Sequence, residues 1–345
     1  MRIGTQLPYA GDFAASVDQL QDYHRAGVSI AYVAEAYSFD AVSQLGYLAA
    51  RIPDIEIASN ILPIYTRTPT LLAMTAAGLD YVSGGRFTLG LGASGPQVIE
   101  GFHGVPYDAP IGRTREIIDI CRQVWRRERV QHSGRNYQIP LQDGGTGLGK
   151  PLKLINHPVR ERIPILIAAM GPKNVQLAAE QAEGWAPFFF LPEGADEVWG
   201  QDLAAGKAKR DAALGELDIV APVPLAIGED VEALLDAMRP VFALYLGGMG
   251  AKGKNFYHDL AARFGYEAEA DRVQELYLDG HKNEAAAAVP GELLRSMSLV
   301  GPRSWVAERV SALHQAGVRT LSVSPMAPTH AERVTAVEQL ADLLP

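Results

Sequence analysis

Cysteine is nearly missing from this chain. Cys121 is the only one in 345 residues, so no intrachain disulfide can form. It falls in the apolar series Ile117, Ile118, Cys121, Val124, Trp125. That series reads as the buried stripe of a helix, with the thiol as a small core hydrophobe. Long apolar runs are missing too: nothing approaches the roughly 18 consecutive residues of a membrane span. Basic residues are the minority, 31 Lys and Arg against 40 Asp and Glu, for a formal net charge of -9. A nucleic-acid-binding face needs the opposite balance. Met1-Arg2-Ile3-Gly4-Thr5-Gln6 opens at once into a strand pattern, without a basic segment and apolar stretch before it. No signal peptide is expected, and the protein is expected to be soluble and cytoplasmic. The chain has no Gly-x-Ser-x-Gly elbow and no Walker pattern, which weakens hydrolase and NTPase readings. Gly90-Leu91-Gly92 lacks the third glycine of a dinucleotide fingerprint and follows the fourth strand, not the first. His157, His258, His281 and His330 are scattered, without metal-ligand spacing to carboxylates or to Cys121, so no metal is expected.

What is present is rhythm. Apolar segments of strand length occur at Ile3–Leu7, Ile30–Glu35, Ile55–Ile61, Phe87–Gly92, Ile163–Ala169, Trp185–Phe190, Ile219–Ile227 and Thr320–Ser324. Helical patterns separate them: Phe13–Ala26, Ala41–Arg51, Thr70–Val82, Ile111–Arg129, Pro172–Glu183, Asp230–Leu246 and Ser304–Ala316, with a last one from His330 to Leu344. Several strands are apolar throughout rather than alternating, as strands covered on both faces are. Gly27, Gly84 and Gly317 stand where helices should stop. Eight strands, each followed by a helix, predict an α/β fold of the (β/α)8 TIM barrel type. A doubly wound sheet is the alternative that periodicity leaves open. Residues 1–345 are expected to form one barrel domain with two insertions. The insertion at 130–162 carries turn chemistry and predicts a hairpin; that at 247–300 carries short helices. Both are expected on the strand-to-helix side of the barrel, where insertions cover active sites, or inside a helical return.

A barrel brings the C-terminal ends of its strands to one mouth. Glu35, Ser59 and Asn60, Ala93, Ser94 and Gly95, and Ala168, Ala169 and Gly171 should all end there. Most are small, as suits a flat ligand lying close to the backbone. Gly171-Pro172-Lys173-Asn174 follows an apolar strand and opens a helix, so its free N–H groups and helix dipole make an anion site. Gly301-Pro302-Arg303-Ser304 repeats the design. Glu35 closes an otherwise apolar strand; its carboxylate is either salt-bridged or an active-site group. Gln6 is a candidate for the pocket floor. His103 follows the Gly92–Pro96 loop and is the histidine best placed for proton transfer near neutral pH.

These residues also carry a family resemblance. Asn60 to Gln97, with its "RTP…SGGRF.LG.G.SGPQ" pattern, is similar to the luciferase-like flavin and deazaflavin oxidoreductases. "GPKNVQLAAEQAEGW" (Gly171 to Trp185) resembles that family's cofactor-phosphate segment, and "LVGPRSWVAERVSALHQAGVRTLSVSP" (Leu299 to Pro325) its last βα unit. "GLGKPLKLINHPVRERIPI" (Gly147 to Ile165) and "LYLGGMGAKGKNFYHDLAARFGY" (Leu244 to Tyr266) are similar to segments of the branch that uses the deazaflavin coenzyme F420.

The resemblance implies an insertion-bearing barrel with the cofactor at its mouth, and often a homodimer. The residues it places near the cofactor are Ser59, Asn60, Ala93, Ser94, Gly95, Ala168, Ala169, Gly171, Pro172, Lys173 and Asn174. It implies a non-proline cis peptide after the third strand; counting back from Pro63 puts it at Ser59-Asn60. An acidic residue at the place of Glu35 lies near the cofactor ring in deazaflavin relatives, often followed by histidine, but Ala36 follows here. The implied activity is hydride transfer between F420 and a small organic substrate. An FMN-dependent monooxygenase and a cofactor-binding barrel without turnover are the alternatives. Lys173, Lys252, Lys254 and Arg303 are expected to lend the mouth a positive field for the anionic tail of F420.

Overall fold

In the computed structural model, which describes residues 1–250 and 252–345, the apolar segments become eight parallel strands. They are β1 (Arg2–Gln6), β2 (Val28–Val33), β3 (Glu56–Ser59), β4 (Phe87–Gly92), β5 (Ile165–Ala168), β6 (Gly184–Ala186), β7 (Asp218–Ile227) and β8 (Val318–Pro325). Each lies beside its neighbours in sequence. The sheet closes through β6 on β7 (Gly184↔Asp218), β7 on β8 (Ala221↔Leu321) and β8 on β1 (Gly4↔Ser322). This closed barrel is the predicted fold, and closure leaves the sheet no edge. Between the strands run α1 (Phe13–Arg25), α2 (Ala41–Arg51), α3 (Pro69–Val82), α4 (Pro110–Trp125), α5 (Pro172–Gln181), α6 (Gln201–Lys207) and α7 (Arg303–Gln315), and α8 (His330–Ala341) follows the last strand.

Helix starts follow from local chemistry. Side chains of Asp12, Asp40 and Thr68 accept from backbone N–H groups three residues on, at Ala15, Ser43 and Leu71. Thr329 and Glu332 form a capping box at α8. Ile30, Tyr32, Ala58, Leu166, Ala186 and Val220 fill the barrel interior. A larger core lies between strands and helices, and each fully buried Leu or Ile there contributes about 1.5–3 kcal/mol. Cys121 is fully buried in that core, and burial pushes its thiol pKa up. At the barrel floor, Arg2 bonds Glu56 (2.7 Å), Asp218 (3.0 Å) and Thr320 (2.9 Å), tying four strands together.

Several expectations need correction. The insertion at 130–162 follows α4 and precedes β5, so it belongs to the helix-to-strand side. Its hairpin, His132–Ser133 with Gln138–Ile139, packs along α4 through Glu116, which accepts from Asn136 Nδ2 (2.7 Å) and Tyr137 N (2.9 Å). The insertion at 247–300 does follow β7, on the mouth side, and ends in an extra short strand, Leu299–Gly301, paired with β7. The helix expected over Asp230–Leu246 divides into 3-10, α and π turns, Glu232–Met238, Arg239–Ala243 and Leu244–Gly248. The strand expected to reach Phe190 stops at Ala186; Phe189 beyond it has φ 52°, which no strand can hold.

Candidate active site at the barrel mouth

The third and fourth strands show how tightly the mouth is built. Ser59, fully buried, remains in strand register opposite Val33. Its Oγ donates to Gly90 O (2.9 Å) and accepts from Gly90 N (2.8 Å). Asn60 N donates to Val33 O (2.8 Å), so the chain stays in the ladder through Asn60. The non-proline cis peptide among the described residues is therefore Asn60-Ile61, one bond later than the offset to Pro63 implied. Beyond it, Ile61 O accepts from Glu35 N (3.1 Å), and Leu62–Pro63 pairs with β4. Gly90 and Gly92 serve this bulge rather than a ligand. A Cβ on Gly90 would stand 1.8 Å from Ser59 O, and one on Gly92 would stand 2.8 Å from Ile61 Cγ1.

Glu35 sits at the mouth end of β2, but both its oxygens are engaged. Arg67 grips it in bidentate fashion (2.5 and 2.9 Å), and its Oε2 also accepts from Ala41 N (3.0 Å) at the start of α2. Arg67 also bonds Asp40 (2.8 Å). The pair is largely buried, at 13% and 9% side-chain exposure. The carboxylate thus anchors a loop and caps a helix. Gln6 donates to Tyr32 O (3.2 Å), also a tying contact. His103 follows the short helix Pro96–Gly101; its ring packs edge-on against Phe102, and its Nε2 is buried with no hydrogen-bond partner among the described residues.

Across the mouth, Ala168 and Ala169 lead to Gly171 and α5. This turn is braced from below: Trp185 Nε1 donates to Ala169 O (2.9 Å) and Trp199 Nε1 to Met170 O (3.0 Å). Gly171 is the N-cap of α5 with no side-chain cap bond; Pro172 has no N–H and Asn174 N donates to Gly171 O (3.1 Å), which leaves the Lys173 N–H as the free donor of the first turn. A Cβ on Gly171 or Gly95 would meet nothing within 4 Å. Lys173 is exposed on the first turn, with Asn174 half-buried beside it. These residues fit a phosphate-bearing cofactor: an uncapped helix start, a braced turn, and two open backbone positions where the ligand would lie. Lys252 and Lys254 are exposed, whereas Arg303 donates to Gln339 O (3.4 Å) and faces Asp342 (3.9 Å), so it is not a free cation.

The opposite side is aromatic, and sequence reasoning missed it. Phe188 packs on Tyr245 (4.5 Å) and Tyr257 (5.2 Å), which touch each other (4.7 Å). Tyr37 faces Phe102 (6.2 Å). Tyr37 lies close enough to act through space on Tyr245, and both act so on Tyr9. The available signal was that Tyr9, Tyr37 and Phe188 each follow a strand end by a few residues. Two clefts lie away from this chemistry: one of about 1020 Å³ between α6 and the end of α7, beside Lys207 and Arg319, and one of about 430 Å³ at the strands' N-terminal ends, around Arg2 and Tyr32. Among the described residues no cluster of His, Cys, Asp and Glu could hold a metal ion, and no helix is long and apolar enough to cross a membrane.

Comparison with known proteins adds the following. The profile of the family described as luciferase-like monooxygenase matches residues 1–320. A Mycobacterium tuberculosis protein assigned as a coenzyme F420-dependent oxidoreductase is 40% identical over 333 residues, which is 94% of this chain and 95% of that one. The 5,10-methylenetetrahydromethanopterin reductase of Archaeoglobus fulgidus is 27% identical, over 88% of this chain and 87% of its own. In fold, the chain matches the F420-dependent tetrahydromethanopterin reductase of Methanopyrus kandleri with a TM-score of 0.80 at 21% identity, covering 99% of this chain and 98% of that one. An F420-dependent secondary alcohol dehydrogenase matches with a TM-score of 0.74 at 15% identity, covering 100% and 99% of the two.

Proposed function

The chain belongs to the luciferase-like monooxygenase family, and on that premise we propose that it is an F420-dependent oxidoreductase acting on a small organic substrate. The observation that carries this reading is the braced, open turn at Gly171. The free N–H of Lys173 and the dipole of α5 would take the cofactor's phosphate, helped by the Lys173 ammonium, and Gly95 leaves room for the ring side. Ser59 and Asn60 shape the bulge beneath the ring through the bonds already described. The bound deazaflavin supplies or accepts a hydride; the barrel supplies position and a water-poor pocket. Glu35 acts here through Arg67, fixing the β2 loop, and His103, with its buried and unpartnered Nε2, is the side chain assigned to proton transfer at the reacting centre.

The whole chain is expected to work as one barrel unit with its insertions, and as a homodimer. The support for a dimer is α3, which is apolar on both sides. Leu72, Ala73 and Ala76 face the core, while Leu71, Met74, Tyr81 and Val82 remain exposed.

Titration with F420 and with FMN at low and moderate salt tests the assignment. F420 should bind tighter, and its affinity should fall as salt rises, because its tail is anionic. Tighter FMN binding, with oxygen uptake, would move the protein to the flavin monooxygenases. F420 binding with no oxidation or reduction across a broad substrate panel would make it a carrier.

A further inference from the structure

The mouth is divided. The β3, β4 and β5 ends supply small residues and open backbone, the half assigned above to the cofactor. The loops after β1, β2 and β6 and the segment from β7 into the insertion supply rings: Tyr9, Tyr37, Phe188, Tyr245 and Tyr257, with Phe102 closing the gap beside Tyr37. We propose that this aromatic half is the substrate site and that it takes an uncharged, largely apolar ketone with a planar ring.

First, the rings are presented to solvent although they are large: Tyr9 is 56%, Phe102 66% and Tyr37 71% exposed. Exposed rings grouped around a cofactor half mark a binding surface rather than a core. Second, the phenols are unspent. The hydroxyls of Tyr9, Tyr37, Tyr245 and Tyr257 have no hydrogen-bond partner among the described residues. Burial raises the pKa of Tyr245 and Tyr257, so they stay protonated and able to donate. Donors set in an apolar wall match a neutral acceptor oxygen. Third, the charges on the β2 loop are already used, since Glu35, Asp40 and Arg67 satisfy one another. That loop has no free cation for a phosphate or carboxylate.

The inference rests on the F420 reading for its redox step. Bound reduced deazaflavin would supply the hydride that adds to the carbonyl carbon as the C–O π bond breaks. The phenols would hold the oxygen, which would take a proton that solvent replaces. The ketone would become an alcohol, with the two electrons coming from the cofactor.

The test uses the full chain. Acetone, acetophenone and 2-acetylnaphthalene are compared with glucose 6-phosphate and 2-oxoglutarate. Binding to cofactor-free protein is read by quenching of intrinsic fluorescence, and turnover with reduced F420 by the return of its visible absorbance. We expect 2-acetylnaphthalene to bind at least tenfold tighter than acetone, and the two anions to show neither binding nor turnover. Tyr37→Ala and Tyr245→Phe should each weaken the aryl ketones severalfold or more with F420 affinity unchanged. Anion turnover in place of ketones would hand substrate selection to Lys252 and Lys254 and overturn the proposal. So would aryl ketones binding no tighter than acetone. Failure of F420 to bind would sink the cofactor reading and the hydride step, while ketone binding to the cofactor-free protein decides the aromatic wall separately.

Discussion

At the scale of single residues, two kinds of glycine part company at the mouth. Gly171 faces open space, so Gly171→Val should fold normally and lose F420 affinity by tenfold or more; a titration beside an unchanged thermal melt checks both halves. Gly90 faces the Ser59 carbonyl, so Gly90→Ala should destabilise by at least the roughly 1–3 kcal/mol of an overpacked site, read as a lower urea midpoint. The sequence located both glycines but could not tell them apart, because the distinction lies in what crosses the barrel to meet each one. Glu35 shows the same limit. Its place at a strand end was legible, but its partner Arg67 lies 32 residues away, and only the fold brings the two together. The aromatic wall escaped for the same reason: its rings come from four loops and an insertion, and no local motif joins them.

At the scale of elements, apolar periodicity located all eight strands and their order. It misjudged ends and attachments, which tertiary contacts decide. The hairpin His132–Ile139 is the clearest example. Turn chemistry predicted it, yet its position is set by Glu116 on α4, which receives hydrogen bonds from His132, Asn136 and Tyr137. Burial pushes the Glu116 pKa up, but these bonds outweigh burial and hold it below its ordinary value of 4.5. A depressed carboxylate stabilises above its unfolded pKa and loses that contribution as pH falls through the folded one. Hydrogen-exchange protection of residues 132–139, corrected for intrinsic rates, should therefore hold at neutral pH and decline below about pH 4.5. In Glu116→Ala it should be low at every pH, by about 1–3 kcal/mol of local opening.

At the scale of the molecule, eight strand–helix units predicted the closed barrel, but the floor network around Arg2 was outside the reach of any linear pattern, because it joins Arg2 to Glu56, Asp218 and Thr320. The surface of α3 makes a separate prediction. Light scattering should find a dimer, and Met74→Glu should give a monomer that still binds F420; a monomeric wild type would remove the dimer from the account. The chain's lone thiol is sealed in the core, with its Sγ against Pro69 O (3.8 Å). Maleimide dyes should therefore ignore the native protein. A cysteine placed at exposed Phe39 and another at exposed Gln97 would then be the sole attachment points for a donor and acceptor pair, giving a direct ruler for whether the two sides of the mouth draw together when ligands arrive.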